Sequence, residues 1–316
     1  MVRRERSLER NLSRRAVVGG LAAGLVGGAS QPVFAQAAPH RVKFGDAEVI
    51  VISDGEMSLS ASYALPTTAP AEVTALLSGR AVRTDAIQAA VNVVVVRMPG
   101  ALIVIDSGGT SDFMPTLGSF ADRLEAAGIK AADVTHVIFT HAHADHLWGV
   151  IDPLDDDTRF PNARHFISAV ERDYWLKPGL ENEVPDAVKG TTIGTQRRMK
   201  MLAKRFEVTT ADAEIAPGIT PIETAGHTPG HLSMHLQFGG TSLIVGGDAI
   251  GHAIVSFERP SWQWGPDVDP AKGVSARLRL LDQLATDRSM LLGYHLPWPG
   301  IGRVERKDGA FRFVAA

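Results

Sequence analysis

Apolar residues recur in two ways along the chain. Short, nearly unbroken apolar runs occupy residues 48–52, 92–96, 102–105, 134–140, 242–245 and 290–292, and a further strand is predicted at 232–238. Runs of this kind fit strands covered on both faces. Residues 42–44 and 48–52 flank Gly45 and Asp46, a hairpin signal. Residues 92–96 and 102–105 meet at Pro99 and Gly100 in the same way. Further strands are predicted at 163–168 and 219–223, and a terminal hairpin over 303–314 turning at 307–309.

Between these runs the apolar spacing becomes helical. A helix is predicted over 70–77, with Pro70 in its first turn and Thr68 nearby as a cap. Another covers 115–127, with Phe120, Leu124 and Ala127 on one face and Gly128 as its stop. Helices also follow at 169–176, at 186–206 with a solvated basic face, and at 270–287 with Leu278, Leu281 and Leu284 inward. Residues 63–66 read as loop, and the rest of 58–90 as a flap. Strands alternating with helices imply layered α/β structure. The chain repeats that order in both halves, which suits two sheets packed together with helices outside.

Composition narrows the chemistry. The chain has 316 residues, 45% of them hydrophobic and 21% charged, enough to bury a sizeable core. It has no cysteine, so disulfides and thiolate metal sites are excluded. Residues 1–15 are arginine-rich, 16–29 are apolar and Gly-rich, and small-residue cleavage sites follow at 33–37. That order predicts an export signal over 1–35, twin-arginine-like at Ser13, Arg14 and Arg15, with an ordinary secretory signal as the alternative. The apolar run is shorter than the roughly 20 residues of a membrane span. A single periplasmic or secreted domain over 36–316, without a stable membrane anchor, is the expectation. The signal carries six arginines and two glutamates, so its loss takes the net charge from −3 to −7. An acidic chain is a poor match to nucleic acid. Residues 152–157 form an acidic stretch read as a solvated loop.

Candidate chemistry concentrates in one stretch, His141, His143, Asp145 and His146, which follows the run 134–140 as H-x-H-x-D-H. Imidazole and carboxylate suit zinc and similar borderline cations. Ala142 and Ala144 let the backbone turn tightly, so alternate side chains can address two neighbouring ions. Three further candidates sit in or beside Gly-containing turns next to β runs: His227 in G-H-T-P-G-H, Asp248 in G-G-D and His295 in G-Y-H-L-P. His231 suits a turn or supporting role, and His136, His165 and His235 suit structural ones. His252 is a minor pocket candidate. Asp54 either turns the chain after the first hairpin or supports the site from behind.

The four motifs, in this order, resemble the ligand series of the metallo-β-lactamase superfamily. That resemblance implies a four-layer αββα sandwich with a metal site at one edge of the sheets. It also suggests that Asp106 organises its turn and holds a ligand histidine. Phe160-Pro-Asn-Ala163, Asp173-Tyr-Trp175, Pro217-Gly-Ile219, the stretch 296–302 and the ending 311–314 resemble the methyl parathion hydrolase and lactonase branch over almost the whole mature chain. By that likeness His141, His143 and His227 hold one ion, Asp145, His146 and His295 the other, and Asp248 bridges them. Two divalent ions are expected, zinc foremost, with manganese, cobalt or iron admitted. They share a hydroxide that attacks a carbonyl or phosphoryl centre, and Asp145 carries the proton. Phe113 and Trp175 match aromatic positions of a leaving-group pocket. A further pocket aromatic is missing at 190–193, where Trp262 and Trp264 could stand in. The implied function is an exported hydrolase of a small apolar ester, lactone or phosphotriester, its partner that substrate and a homodimer admissible. The alternatives are a β-lactamase, an iron-dependent oxidoreductase of the same fold, or a non-catalytic zinc-binding periplasmic protein.

Overall fold

A computed structural model describes residues 38–316, so the expected export signal lies outside the described residues. The strands are β1 (His40–Phe44), β2 (Ala47–Ser60), β3 (Ala86–Met98), β4 (Ala101–Ile105), β5 (His136–Ile138), β6 (Ile151–Asp152), β7 (Asp157–Thr158), β8 (Arg164–Ser168), β9 (Phe206–Thr209), β10 (Ile219–Glu223), β11 (Leu232–Phe238), β12 (Thr241–Val245), β13 (Met290–Leu292), β14 (Ile301–Lys307) and β15 (Ala310–Ala315). The helices are α1 (Ala61–Ala64), α2 (Pro70–Leu77), α3 (Phe120–Ala126), α4 (Ala144–Leu147), α5 (Ala169–Trp175), α6 (Asp186–Leu202), α7 (Val255–Glu258) and α8 (Pro270–Asp287). One sheet runs β1-β2-β3-β4-β5-β8-β9 and the other runs β10 to β15 in sequence order, while β6 and β7 form a small ribbon.

Alternation along each strand builds the layers. Val49 and Val51 of β2 join the core between the sheets, whereas Ile50 and Ile52 join the core under α3 and α6. β3 divides in the same way, Val94 and Val96 to one side and Val93 and Val95 to the other. In the second sheet Leu243 and Val245 face the first sheet, and Ile244 packs with Leu280, Leu281 and Leu284 of α8. The order is therefore helix, sheet, sheet, helix, the αββα sandwich expected from the sequence.

Several local expectations are corrected. β2 does not end at Asp54 but continues through a bulge between Ser53 and Gly55. The extra residue frees the Asp54 carboxylate to accept from the amides of Gly109 at 2.8 Å, Gly118 at 3.1 Å and Phe120 at 2.7 Å. The bonds to Gly118 and Phe120 hold the approach to α3 out of helix, so α3 begins at Phe120 rather than at 115. Residues 61–64 form a helical turn, and Leu65, Val73, Leu77 and Ile87 pack with Trp264 as a separate apolar cluster. α6 stops at Leu202, and Phe206 opens the edge strand β9. Its basic face is partly engaged: Arg197 pairs with Asp156 and Arg198 lies 3.9 Å above the Trp148 ring, while Arg205, beyond the helix end, pairs with Asp157. Leu278 is exposed, because the buried stripe of α8 runs through Gly273, Arg277, Leu280, Leu281 and Leu284. No helix among the described residues is long and apolar enough to cross a membrane.

Candidate metal centre

The H-x-H-x-D-H stretch begins three residues beyond the end of β5 and is fastened to the first sheet by Asp106. This carboxylate, at the end of β4, accepts from Thr140 N and Thr140 Oγ1, both at 2.8 Å, and from His146 Nδ1 at 2.8 Å. Asp145 and His146 lie on the single turn α4. The Tyr294 hydroxyl donates to Asp145 O at 2.7 Å, and the Tyr294 ring stacks on His146 at 3.9 Å. The second sheet supplies the remaining loops. His231 Nε2 accepts from Asp248 N at 3.0 Å, so His231 orients the Asp248 turn. Gly247 has φ +53°, and a Cβ there would lie 2.7 Å from His231 Nε2, so both the turn and the contact need glycine. Asn92, buried in β3, donates to Leu296 O at 2.7 Å and holds the loop that carries His295.

These loops bring all seven predicted donors together in two groups. His141, His143, His227 and Asp248 offer ligand atoms within 4.8 Å of one another, as do Asp145, His146 and His295. Asp248 faces both. Its Oδ2 lies 3.1 Å from His227 Nε2, and its Oδ1 lies 3.0 Å from His146 Nε2 and 3.1 Å from His295 Nε2. Supporting bonds fix which nitrogen is offered. His146 Nδ1 is held by Asp106, His227 Nδ1 by Asp267 at 2.9 Å, His295 Nδ1 by Ala90 O at 2.8 Å and His141 Nδ1 by Thr140 at 3.1 Å. Each of these four therefore turns Nε2 inward, as ligand histidines do.

Asp145 Oδ2, His146 Nε2 and Asp248 Oδ1 are buried and close to one another, down to 3.0 Å, yet none makes a hydrogen bond of good geometry: with Nδ1 protonated, the His146 Nε2 lone pair faces carboxylate lone pairs. Each such atom costs about 1–3 kcal/mol. Three of them converging in one place is the signature of a site built for cations, and the oxygen and imidazole donor set fits divalent ones. The local charges agree. Burial, then neighbouring His227, pushes His143 down to about 3. Burial would lower His227 and His295 too, but Asp248 outweighs it, with help from Asp267 and Asp145, and they rise to about 9 and 10. The carboxylates thus pull positive charge onto these nitrogens, and a cation would compete with protons for them.

The aromatic candidates separate. The Trp175 ring lies 5.7 Å from His143, at the site. Phe113 packs edge-on against Trp148 at 5.8 Å. Trp264 is buried in the α1–α2 cluster with Trp262 at its rim. His252 and His295 share a cavity of about 220 Å³ with Ser53, Glu56, Gln88 and Ala90. A larger cavity of about 410 Å³, beside Asp54 and Arg198, is lined by none of the seven donors. His136, His165 and His235 bond to Thr135, Thr158 and Ser242, away from the site.

Sequence reading missed three supporting residues. Asp267 orients His227, and buried Arg277 backs Asp267 at 3.4 Å. Arg277 carried a signal, a charge on the inward stripe of α8. Glu171 stands three residues after Ser168 and reads as one half of a helix capping box, which hides its long-range bonds.

The fold and the paired donor groups define a class. Residues 87–295 match the family model described as the metallo-beta-lactamase superfamily, and the chain belongs to that superfamily. Its architecture and donors are those of metal-dependent hydrolases. The chain is similar to AidC, a dizinc quorum-quenching lactonase solved with a homoserine product. The TM-score is 0.83 at 25% identity, over 88% of this chain and 97% of that one. It is likewise similar to AbOPH, a hydrolase of the beta-lactamase superfamily, with TM-score 0.82 at 31% identity over 89% of this chain and 98% of that one. The uncharacterized protein YobT of Bacillus subtilis is 32% identical over 136 residues, covering 42% of this chain and 53% of its own length. The match therefore spans about half of that curated relative.

Proposed function

We propose that this chain is an exported hydrolase that binds two divalent cations, zinc foremost, and opens lactones or related esters of small apolar substrates. The observation that carries the reading is Asp248, whose two oxygens face two separate donor groups. Likeness to a dizinc lactonase over nearly the full length of that protein favours lactones among the substrates such a site could take. Two cations held there would supply a hydroxide at neutral pH and polarise the oxygen under attack. The chain's own residues do the rest. Asp106, Asp267 and the Ala90 carbonyl hold their imidazoles in the ligand tautomer. Asp145, with its unpartnered Oδ2, is placed to carry a proton to the leaving oxygen. Trp175 and the 220 Å³ cavity beside His295 provide apolar surface for the substrate.

The test is a hydrolysis panel on metal-analysed protein lacking residues 1–35, comparing an acyl-homoserine lactone, an aryl ester, methyl parathion and nitrocefin. The lactone should turn over fastest, lose turnover on chelation and regain it with zinc. Asp248→Ala should lower turnover at least roughly 100-fold and reduce bound metal. Near-normal turnover of that variant with both ions retained would sink the account. Preferential nitrocefin turnover would point to a β-lactamase instead.

A further inference from the structure

Glu171 is completely buried. Its carboxylate takes four donors. Oε1 accepts from Ala142 N at 3.0 Å and from Trp175 Nε1 at 2.7 Å. Oε2 accepts from Thr228 Oγ1 at 2.6 Å and from Gly230 N at 3.0 Å. Ala142 stands between His141 and His143, while Thr228 and Gly230 follow His227 in its own turn. Trp175 is the ring against His143. One carboxylate therefore ties together the two loops that carry three imidazoles of a single donor group. The contact is close: a Cβ on Gly230 would lie 2.2 Å from Glu171 N. The other group is held by different residues, with Asp106 on His146, Tyr294 on the backbone of Asp145 and the Ala90 carbonyl on His295.

We propose that Glu171 is a positioning residue for one metal group only. It sets the spacing between the His141–His143 loop and the His227 loop, and with it the affinity of that group for its ion. This rests on the two-cation reading above. Four donors need an acceptor-only partner, and an ionised carboxylate is the side chain that provides it. In Glu171→Gln one oxygen becomes an NH₂ group facing two donors, so one of the two loops is released. Loss of such an outer partner weakens metal binding about 10- to 100-fold.

The experiment is a zinc titration of metal-stripped full-length protein, wild type and Glu171→Gln, read by a competing chelator dye and by elemental analysis. Wild type should take two ions. Glu171→Gln should keep one ion at wild-type affinity and bind the other about 10- to 100-fold more weakly. Thr228→Val, which removes one donor and leaves the carboxylate, should shift the same ion by less. It also serves as the readout if Glu171→Gln fails to fold. Both ions weakened equally, or a lowered melting temperature with unchanged affinities, would overturn the proposal and leave Glu171 a packing residue. Wild type taking fewer than two ions would overturn the two-cation reading and this proposal with it. Two wild-type ions with an unaffected variant would overturn this proposal alone.

Discussion

His165 shows how a single side chain reports on its surroundings. It is buried on β8, between β5 and the edge strand β9, where Nδ1 donates to Ala163 O and Nε2 accepts from Thr158 Oγ1 at 2.9 Å. Burial pushes its pKa down to about 4. The unfolded chain, near 6.5, takes up a proton first as pH falls. His165 therefore contributes fully above about pH 6.5 and costs stability progressively from there down to about 4, on the order of 3 kcal/mol in all. His165→Gln should be less stable at pH 7 and should lose stability less steeply between pH 6.5 and 4 in urea unfolding. An unchanged slope would contradict this. At the same scale, the seven donors were legible because they come in short motifs whose composition packing does not explain. Glu171 and Asp267 were not, because each does its work through a partner about 30 to 60 positions away.

Helices and strands differed in how far the sequence revealed them. Long strands covered on both faces wrote themselves as unbroken apolar runs, and the hairpins at Gly45 and at residues 307–309 appeared where expected. The one-turn helices α1, α4 and α7 carry too few residues for a period, and tertiary bonds set them. The start of α3 moved five residues because Asp54, two strands away, claims the amides before it. On α8 the predicted stripe drifted off the buried face: steps of three alone fall behind the 3.6-residue turn, whereas alternating threes and fours keep pace. Leu281→Ala should therefore cost about 2–5 kcal/mol, while Leu278→Lys should stay within about 0.5 kcal/mol. Chemical denaturation of both variants checks this. Comparable losses in the two would place the helix face wrongly.

At the scale of the molecule, the sandwich exists in order to converge. The first sheet contributes His141, His143, Asp145 and His146 beyond β5, and the second contributes His227, Asp248 and His295 from loops beside β10, β12 and β13. Each half presents its donors at the same edge, and Asp248 stands where the two sets meet. The order of motifs along the chain made that architecture legible; the pairing of the loops across the edge required the folded chain. The most direct measurement is anomalous diffraction from crystals grown with zinc. We predict two peaks about 3.5–4 Å apart, one on each side of the Asp248 carboxylate. A single peak, or none in protein that folds normally, would contradict the claim that Asp248 joins two metal groups.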